Sequence, residues 1–364
     1  MKFDAGASNP SLGGSFLVVR AERQEGAQMP DVNRQVVLKD RPTGSITEST
    51  TAVVEGQIPE ISDGQALIKV QYLSIDPTIR TWMDDAPGYL PPIGIDEVIR
   101  SGGAGEVIAS KSSRYVVGDL VTGITGWQEY CVADEGMGAM AKAPDGIDLP
   151  TTLNVLGVTG MTAYFGLLEV GQLAEGDVVV VSGAAGATGS MVGQIARLKG
   201  AGKVIGIAGG PEKCAQLVEE MGFDAAIDYK NEQVSRRLHE EAPRGINVYF
   251  DNVGGPILDA CLANLAMRGR IVLCGAISGY NDEARAFGPS NYTSLIIRRG
   301  RMEGFIILDY VGRWPEAQAV VAEWLRAGEV HHSEHIVEGL EHAPDALNLL
   351  FSGGNTGKVL VKVS

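Results

Sequence analysis

Between about residues 15 and 156, apolar and polar residues alternate over short runs broken by turn-forming residues. Alternation with period two puts apolar side chains on one face of a strand. Strands are therefore predicted over 34–39, 66–73, 103–108 and 127–132, with Ser62-Asp63-Gly64 and Pro91-Pro92 marking turns between them. That pattern describes an antiparallel, barrel-like β domain. From about residue 157 the period changes. Short apolar runs at 178–182, 204–207, 225–228, 248–252 and 270–274 alternate with helical patterns at 190–199, 211–221, 232–241 and 256–265. Such alternation builds βαβ units and an α/β protein with a doubly wound parallel sheet. A further helix is predicted near 314–327, and two short strands at 334–337 and 358–362 are expected to rejoin the first domain. The expected division is thus 15–156 with 324–364, and 157–323. Residues 1–14, small and polar, read as a disordered leader outside the fold.

The run SGAAGATGS at 182–190 sits between a buried strand and a helix. Gly183, Gly186 and Gly189 recur every three residues; Ala185 stands where the usual G-x-G-x-x-G pattern has its second glycine, and Thr188 completes the turn. Glycine lets the backbone turn tightly and approach a pyrophosphate, whose charge the helix N-terminus meets. This is the pattern of a Rossmann dinucleotide-binding domain; a turn that serves packing alone is the alternative. An NAD site places a carboxylate at the tip of the second strand. Here the tip is Gly209-Gly210, Glu212 follows only within the helix, and Lys213 is close by. Two glycines and an ammonium make room for a 2′-phosphate, so the expected cofactor is NADPH. The alternative for Lys213 is a solvated surface lysine.

The formal net charge of −15 repels nucleic acid and anionic membranes, so neither is an expected partner. By sequence alone, no apolar run approaches the roughly 20 residues of a membrane span. Cys131, Cys214, Cys261 and Cys274 lack metal-knot spacing and read as reduced thiols of a cytoplasmic protein. Every histidine lies at or after His239, and the segment 94–97 is Gly-Ile-Asp-Glu. The first domain therefore lacks an imidazole ligand for zinc. His331, His332 and His335 read as a solvated loop, and no metal is expected.

Seven stretches carry a family resemblance: LSIDPTIR at 73–80, GMTAYFGLL at 160–168, the glycine turn through residue 193, IDYK at 227–230, YFDNVGG at 249–255, CGAISGYN at 274–281 and GNTGK at 354–358. The chain resembles the zinc-independent medium-chain dehydrogenase/reductases, within the prostaglandin reductase and leukotriene hydroxydehydrogenase family. That family also holds plant double-bond reductases and curcumin-reductase-like enzymes. The resemblance implies a GroES-like catalytic domain beside the Rossmann domain, and NADPH-dependent reduction of the C=C bond of enones and enals. It implies that Lys213 and Tyr229 meet the 2′-phosphate, and that Asn252 lies against the cofactor. Cys274, Ala276, Ser278 and Tyr280, with Phe305 and Ile307, would frame the nicotinamide, and Asn355 would reach in from the C-terminal segment. It implies a homodimer joined near 296–307. Thr78 departs from the family, whose members often carry a bulkier aromatic there.

Tyr280 is the family's catalytic tyrosine, and the chemistry agrees. Hydride arriving at the β-carbon of an enone pushes charge onto the carbonyl oxygen, and a phenol with an ordinary pKa near 10 can donate a hydrogen bond to it. The alternative is that Tyr280 only packs over the cofactor. Tyr72, Thr78, Trp82, Tyr89 and Tyr292 are candidate substrate contacts. A quinone oxidoreductase and a non-catalytic NADPH-binding protein are the competing readings.

Overall fold

The computed structural model describes residues 32–136, 138–281 and 288–363; the predicted leader lies outside the described residues. A six-stranded sheet runs in the spatial order Ala225–Asp228, Lys203–Ala208, Val178–Ser182, Ile246–Asp251, Leu265–Leu273, Arg301–Gly304, and every neighbouring pair is parallel. In chain order that is 3-2-1-4-5-6, the doubly wound arrangement in which the crevice opens between the first and fourth strands. Val179, Val180 and Val181 are fully buried, as a strand covered on both faces requires. The helices Ala187–Leu198, Pro211–Glu219, Val234–Glu241 and Gly255–Ala263 follow successive strands.

The second sheet has seven strands. Gln65–Ser74 is its long central member, pairing antiparallel with Gly102–Ser110, Tyr130–Asp134 and the C-terminal strand Lys358–Lys362. Its core gathers Val36, Ile68, Leu73, Ile79, Trp127 and Leu347. Most predicted elements stand within two or three residues of their predicted bounds. The strand predicted at 127–132 begins only at Tyr130, because Trp127 is buried and bonded across to Val36 and Ile99 instead of joining the ladder.

One stretch corrects the sequence reading on apolar runs. Residues Leu149–Val170 are long and apolar enough, by length and composition, to cross a membrane. Here 72% of the apolar window is buried inside the protein. The stretch comprises the helices Leu149–Asn154 and Val158–Phe165 and the π-helical turn Gly166–Val170. Gly157 and Gly160 interrupt the apolar run, and threonines at 151, 152, 159 and 162 dilute it, which hid its length. Both glycines are demanded by close packing: a Cβ on Gly160 would lie 1.8 Å from the Val155 carbonyl oxygen.

Helix Ala187–Leu198 is seated on the sheet through Gly193, where a Cβ would meet the Phe223 ring at 2.0 Å. Gly193→Val is expected to cost about 1–3 kcal/mol through overpacking, measured as a lower urea midpoint. An unchanged midpoint would mean that the Phe223 ring moves aside freely.

Candidate functional site

The carboxyl ends of the first, fourth and fifth strands of the parallel sheet are tied together by Asp251. Its side chain is fully buried. Oδ1 accepts hydrogen bonds from the hydroxyls of Ser182 (3.0 Å) and Tyr249 (2.7 Å) and from the backbone N–H groups of Val253 (3.0 Å) and Gly254 (2.9 Å). Its carbonyl oxygen accepts from the N–H groups of Cys274 and Gly275. Asn252, next in the chain, donates from Nδ2 to the Ser182 carbonyl at 2.7 Å and from its backbone to the Ser182 hydroxyl. This holds Asn252 beside Gly183, at the mouth of the crevice. Burial pushes the Tyr249 phenol well above its ordinary value, with Cys261 and Asp251 adding to the rise. The sequence reading singled out Asn252 but missed Asp251; an acidic residue ending an apolar strand was the available signal.

Gly183 has φ +58°, a left-handed conformation that favours glycine. A Cβ on Gly189 would lie 2.4 Å from the Gly183 carbonyl oxygen, so the helix can start this close to the strand only with glycine there. Ala185 is buried beneath the turn, and its carbonyl accepts the Gly357 N–H. The helix begins at Ala187 with no side-chain cap, and the N–H groups of Thr188 and Gly189 have no backbone acceptor among the described residues. Unmet donors at a helix N-terminus, over a surface only glycine permits, fit a phosphate group. Gly186 pairs with Gly357 of the C-terminal segment, which also carries Asn355, a buried side chain bonded to the Gly357 carbonyl.

At the tip of the second strand, a Cβ on Gly209 would collide with Tyr229 and Lys230, both 2.9 Å away. Lys213 faces the same corner. Burial, then repulsion from Lys230, hold the Lys213 ammonium below the usual lysine range. Its Nζ donates to the Gly353 carbonyl at 2.9 Å. Two ammonium groups and a phenol ring thus meet beside two glycines, the recipe for a monoester phosphate; Lys230 is the member the sequence reading left unassigned.

Tyr280 ends a one-turn 3-10 helix, Ile277–Gly279. Its hydroxyl oxygen accepts the Ala276 N–H at 3.1 Å, which leaves its own proton free for an external acceptor. Burial is the largest influence on it and raises its pKa above 10, while the Ala276 hydrogen bond works against the rise. Tyr89 lies within electrostatic reach of Tyr280 and shares a 2.7 Å hydrogen bond with Thr78. Trp82 packs edge-on to Tyr89. Ser278 bonds the Val253 carbonyl at 2.6 Å and so pins the Tyr280 loop to the Asp251 corner. Burial pushes the Cys274 thiol up to about 12, which makes it an inert wall rather than a nucleophile.

Among the other predicted residues, Phe305 turns its ring onto Phe250, Tyr310 and Gly166, and Ile307 packs against the same core. Tyr72 packs with Ala104, Leu149, Leu153 and Leu360, and Tyr292 is exposed on the segment before the helix Ser294–Arg298. A spectrophotometric pH titration of wild type against Tyr280→Phe should place the Tyr280 ionisation above pH 10. A difference spectrum that appears between pH 8 and 9 would contradict the burial described.

Residues 34–141 match the family described as N-terminal domain of oxidoreductase, and residues 187–323 match the family described as zinc-binding dehydrogenase. Zinc does not fit the residues present: among the described residues no three His, Cys, Asp or Glu side chains are grouped to hold a metal ion. The chain is 38% identical to the NADPH-dependent curcumin reductase of Escherichia coli, covering 93% of this chain and 99% of that protein. It is 40% identical to the NADP(+)-dependent 2-alkenal reductase of Nicotiana tabacum, over 91% and 98%. The solved structure of CurA in complex with NADPH from Vibrio vulnificus superposes with a TM-score of 0.86 at 43% identity, covering 91% of this chain and 99% of that one. The chain belongs to the medium-chain dehydrogenase/reductase superfamily, in its zinc-independent family of curcumin and 2-alkenal reductases.

Proposed function

We propose that the protein is an NADPH-dependent reductase of the C=C bond in α,β-unsaturated ketones and aldehydes. The observation that carries this reading is the Tyr280 hydroxyl, which accepts the Ala276 N–H and keeps its proton free at the crevice. Bound NADPH supplies the hydride. In the proposed site, the N–H groups of Thr188 and Gly189 would hold the pyrophosphate, with Gly183, Ala185 and Gly186 forming the turn beside it. Lys213, Lys230 and Tyr229 meet the 2′-phosphate. Asn252, Cys274, Ala276 and Ser278 shape the nicotinamide end, backed by Phe305 and Ile307, and Asn355 closes it from the C-terminal segment. Negative charge arriving on the substrate carbonyl oxygen meets the Tyr280 O–H, whose raised pKa keeps it protonated through the physiological range. The α-carbon then takes its proton from solvent. Thr78, Tyr89 and Trp82 line the substrate side. Tyr72, packed with Leu149 and Leu153, and Tyr292, exposed, are not assigned a role in it.

The domain division 15–156 with 324–364 and 157–323 is retained as part of the proposal. We also place the protein in the cytoplasm, on its four unpaired cysteines, and as a homodimer. The edge strand Arg301–Gly304 leaves one side of its ladder open, and Ile296, Ile297, Leu308 and Val311 nearby are exposed.

Three measurements check these points. With an enone substrate, Lys213→Ala should raise the KM for NADPH about tenfold to a hundredfold, the weight of a charge-assisted hydrogen bond, and leave the rate with NADH unchanged. An equal loss with both cofactors would remove Lys213 from the 2′-phosphate. Tyr280→Phe should lower kcat about a hundredfold with little change in KM, and activity confined to quinones would favour a quinone oxidoreductase. Light scattering should give twice the chain mass; a monomer would contradict the dimer.

A further inference from the structure

At the end of the parallel sheet opposite the crevice, two Arg-Gly-Arg triplets stand side by side: residues 268–270 and 299–301. The first lies in a bulge, because Ile246 pairs with Leu265 while Val248 pairs with Arg270, and the residues between are looped out. In the next strand, Arg301 is the direct partner of Arg270. The glycines lock the triplets together: a Cβ on Gly300 would lie 3.0 Å from the Gly269 carbonyl oxygen and 2.7 Å from Leu265. Around them opens a cavity of about 740 Å³ lined by Gln172, Met267, Arg268, Arg270, Arg299 and Arg301.

Two features mark this wall. Gln172, Arg268 and Arg299 have φ of +46°, +60° and +49°, three of the four non-glycine residues with positive φ among those described. Arg299 takes this conformation as the left-handed cap of the helix Ser294–Arg298, where the Leu295 and Ile296 carbonyls accept the Gly300 and Arg299 N–H groups. Arg268 takes it within the bulge, and both residues line the same opening. The charges are also unbalanced. Arg270 pairs with Asp177 and bonds the Gly171 carbonyl at 2.8 Å. Arg301 has Glu303 at 3.7 Å and the Val170 carbonyl at 2.5 Å, while its Nε is buried with no hydrogen-bond partner. Arg268 and Arg299 have no acidic partner among the described residues; Arg299 bonds only the Ile297 carbonyl. Four guanidinium groups thus face two carboxylates, in a chain whose net charge is −15. Guanidinium cannot shed its proton, and like charges on neighbouring strands repel.

We propose that this cavity is an anion site that takes a ligand with two linked phosphoryl groups. A diphosphate carries the charge needed to balance Arg268 and Arg299, and its oxygens match the forked donors of arginine. It would bridge the two triplets and relieve their repulsion. The site lies at the amino ends of the strands, so it is separate from the proposed cofactor crevice at their carboxyl ends. The diphosphate could be free or part of a nucleotide.

The test is calorimetric titration of NADPH-saturated enzyme with inorganic pyrophosphate and, separately, with ADP. Wild type should bind pyrophosphate. Arg268→Asn with Arg299→Asn should weaken it at least tenfold while leaving turnover unchanged, since asparagine tolerates a left-handed backbone. The double lysine variant, which keeps the charges, should recover part of the affinity. ADP binding with the same sensitivity would assign the site to a nucleotide; binding of pyrophosphate alone would assign it to the free ion. Absence of pyrophosphate binding at millimolar concentration, or equal binding by the double asparagine variant, would overturn the proposal. So would a wild type indifferent to pyrophosphate whose double variant loses its dimer, because the arginines would then serve the subunit contact.

Discussion

The site depends on one carboxyl group shut away from water. Withdrawing such a group from solvent costs several kcal/mol, so it is tolerated only when donors surround it. Asp251 meets that condition on Oδ1 with two hydroxyls and two backbone N–H groups. Oδ2 is buried without a partner, so those bonds to Oδ1 hold the group alone. Three strands are fixed as a result. Ser182 ends the first, Asp251 the fourth, and the carbonyl of Asp251 gathers Cys274 and Gly275 just beyond the fifth.

From that corner the rest of the proposed site is placed in short steps. Asn252 is held beside Gly183, and the glycine turn leads directly into the helix with its unmet N–H groups. Cys274 and Gly275 start the loop that carries Ala276 and Tyr280, and Ser278 ties that loop back to Val253. The C-terminal segment is registered from the other sheet. Buried Lys358 bonds the Ile75 carbonyl at 3.0 Å, with Asp76 at 2.5 Å, and so presents Gly357 to Ala185 and Gly186. On the proposed reading, one sheet supplies the cofactor surface and the other supplies Thr78, Tyr89 and the closing strap.

Much of this was legible beforehand because it is local. The valine run 178–181, the glycines at 183, 186 and 189 and the absence of a carboxylate at 209–210 are contiguous signals, and the strands and helices around them appeared where the pattern put them. Lys213, Tyr229, Asn252 and Tyr280 came into view by pattern and resemblance. What sequence could not show were relations between distant residues. The Ser182 hydroxyl on Asp251, the approach of Lys230 to Gly209 and the pairing of Arg270 with Arg301 each depend on strand register. Tyr72 is a further case: the alternation of its strand packs it with Leu149 and Leu153, residues far from it in sequence. Phe305 likewise has its ring drawn onto Phe250 by the space that Gly166 leaves.

The most direct test of the account is to follow the hydride. The enzyme is supplied with NADPH deuterated at the transferable position and an α,β-unsaturated ketone, and the product is read by NMR. The account predicts a saturated ketone with deuterium on the β-carbon and a solvent-derived proton on the α-carbon. Deuterium on a carbinol carbon, with the double bond intact, would show carbonyl reduction and contradict it.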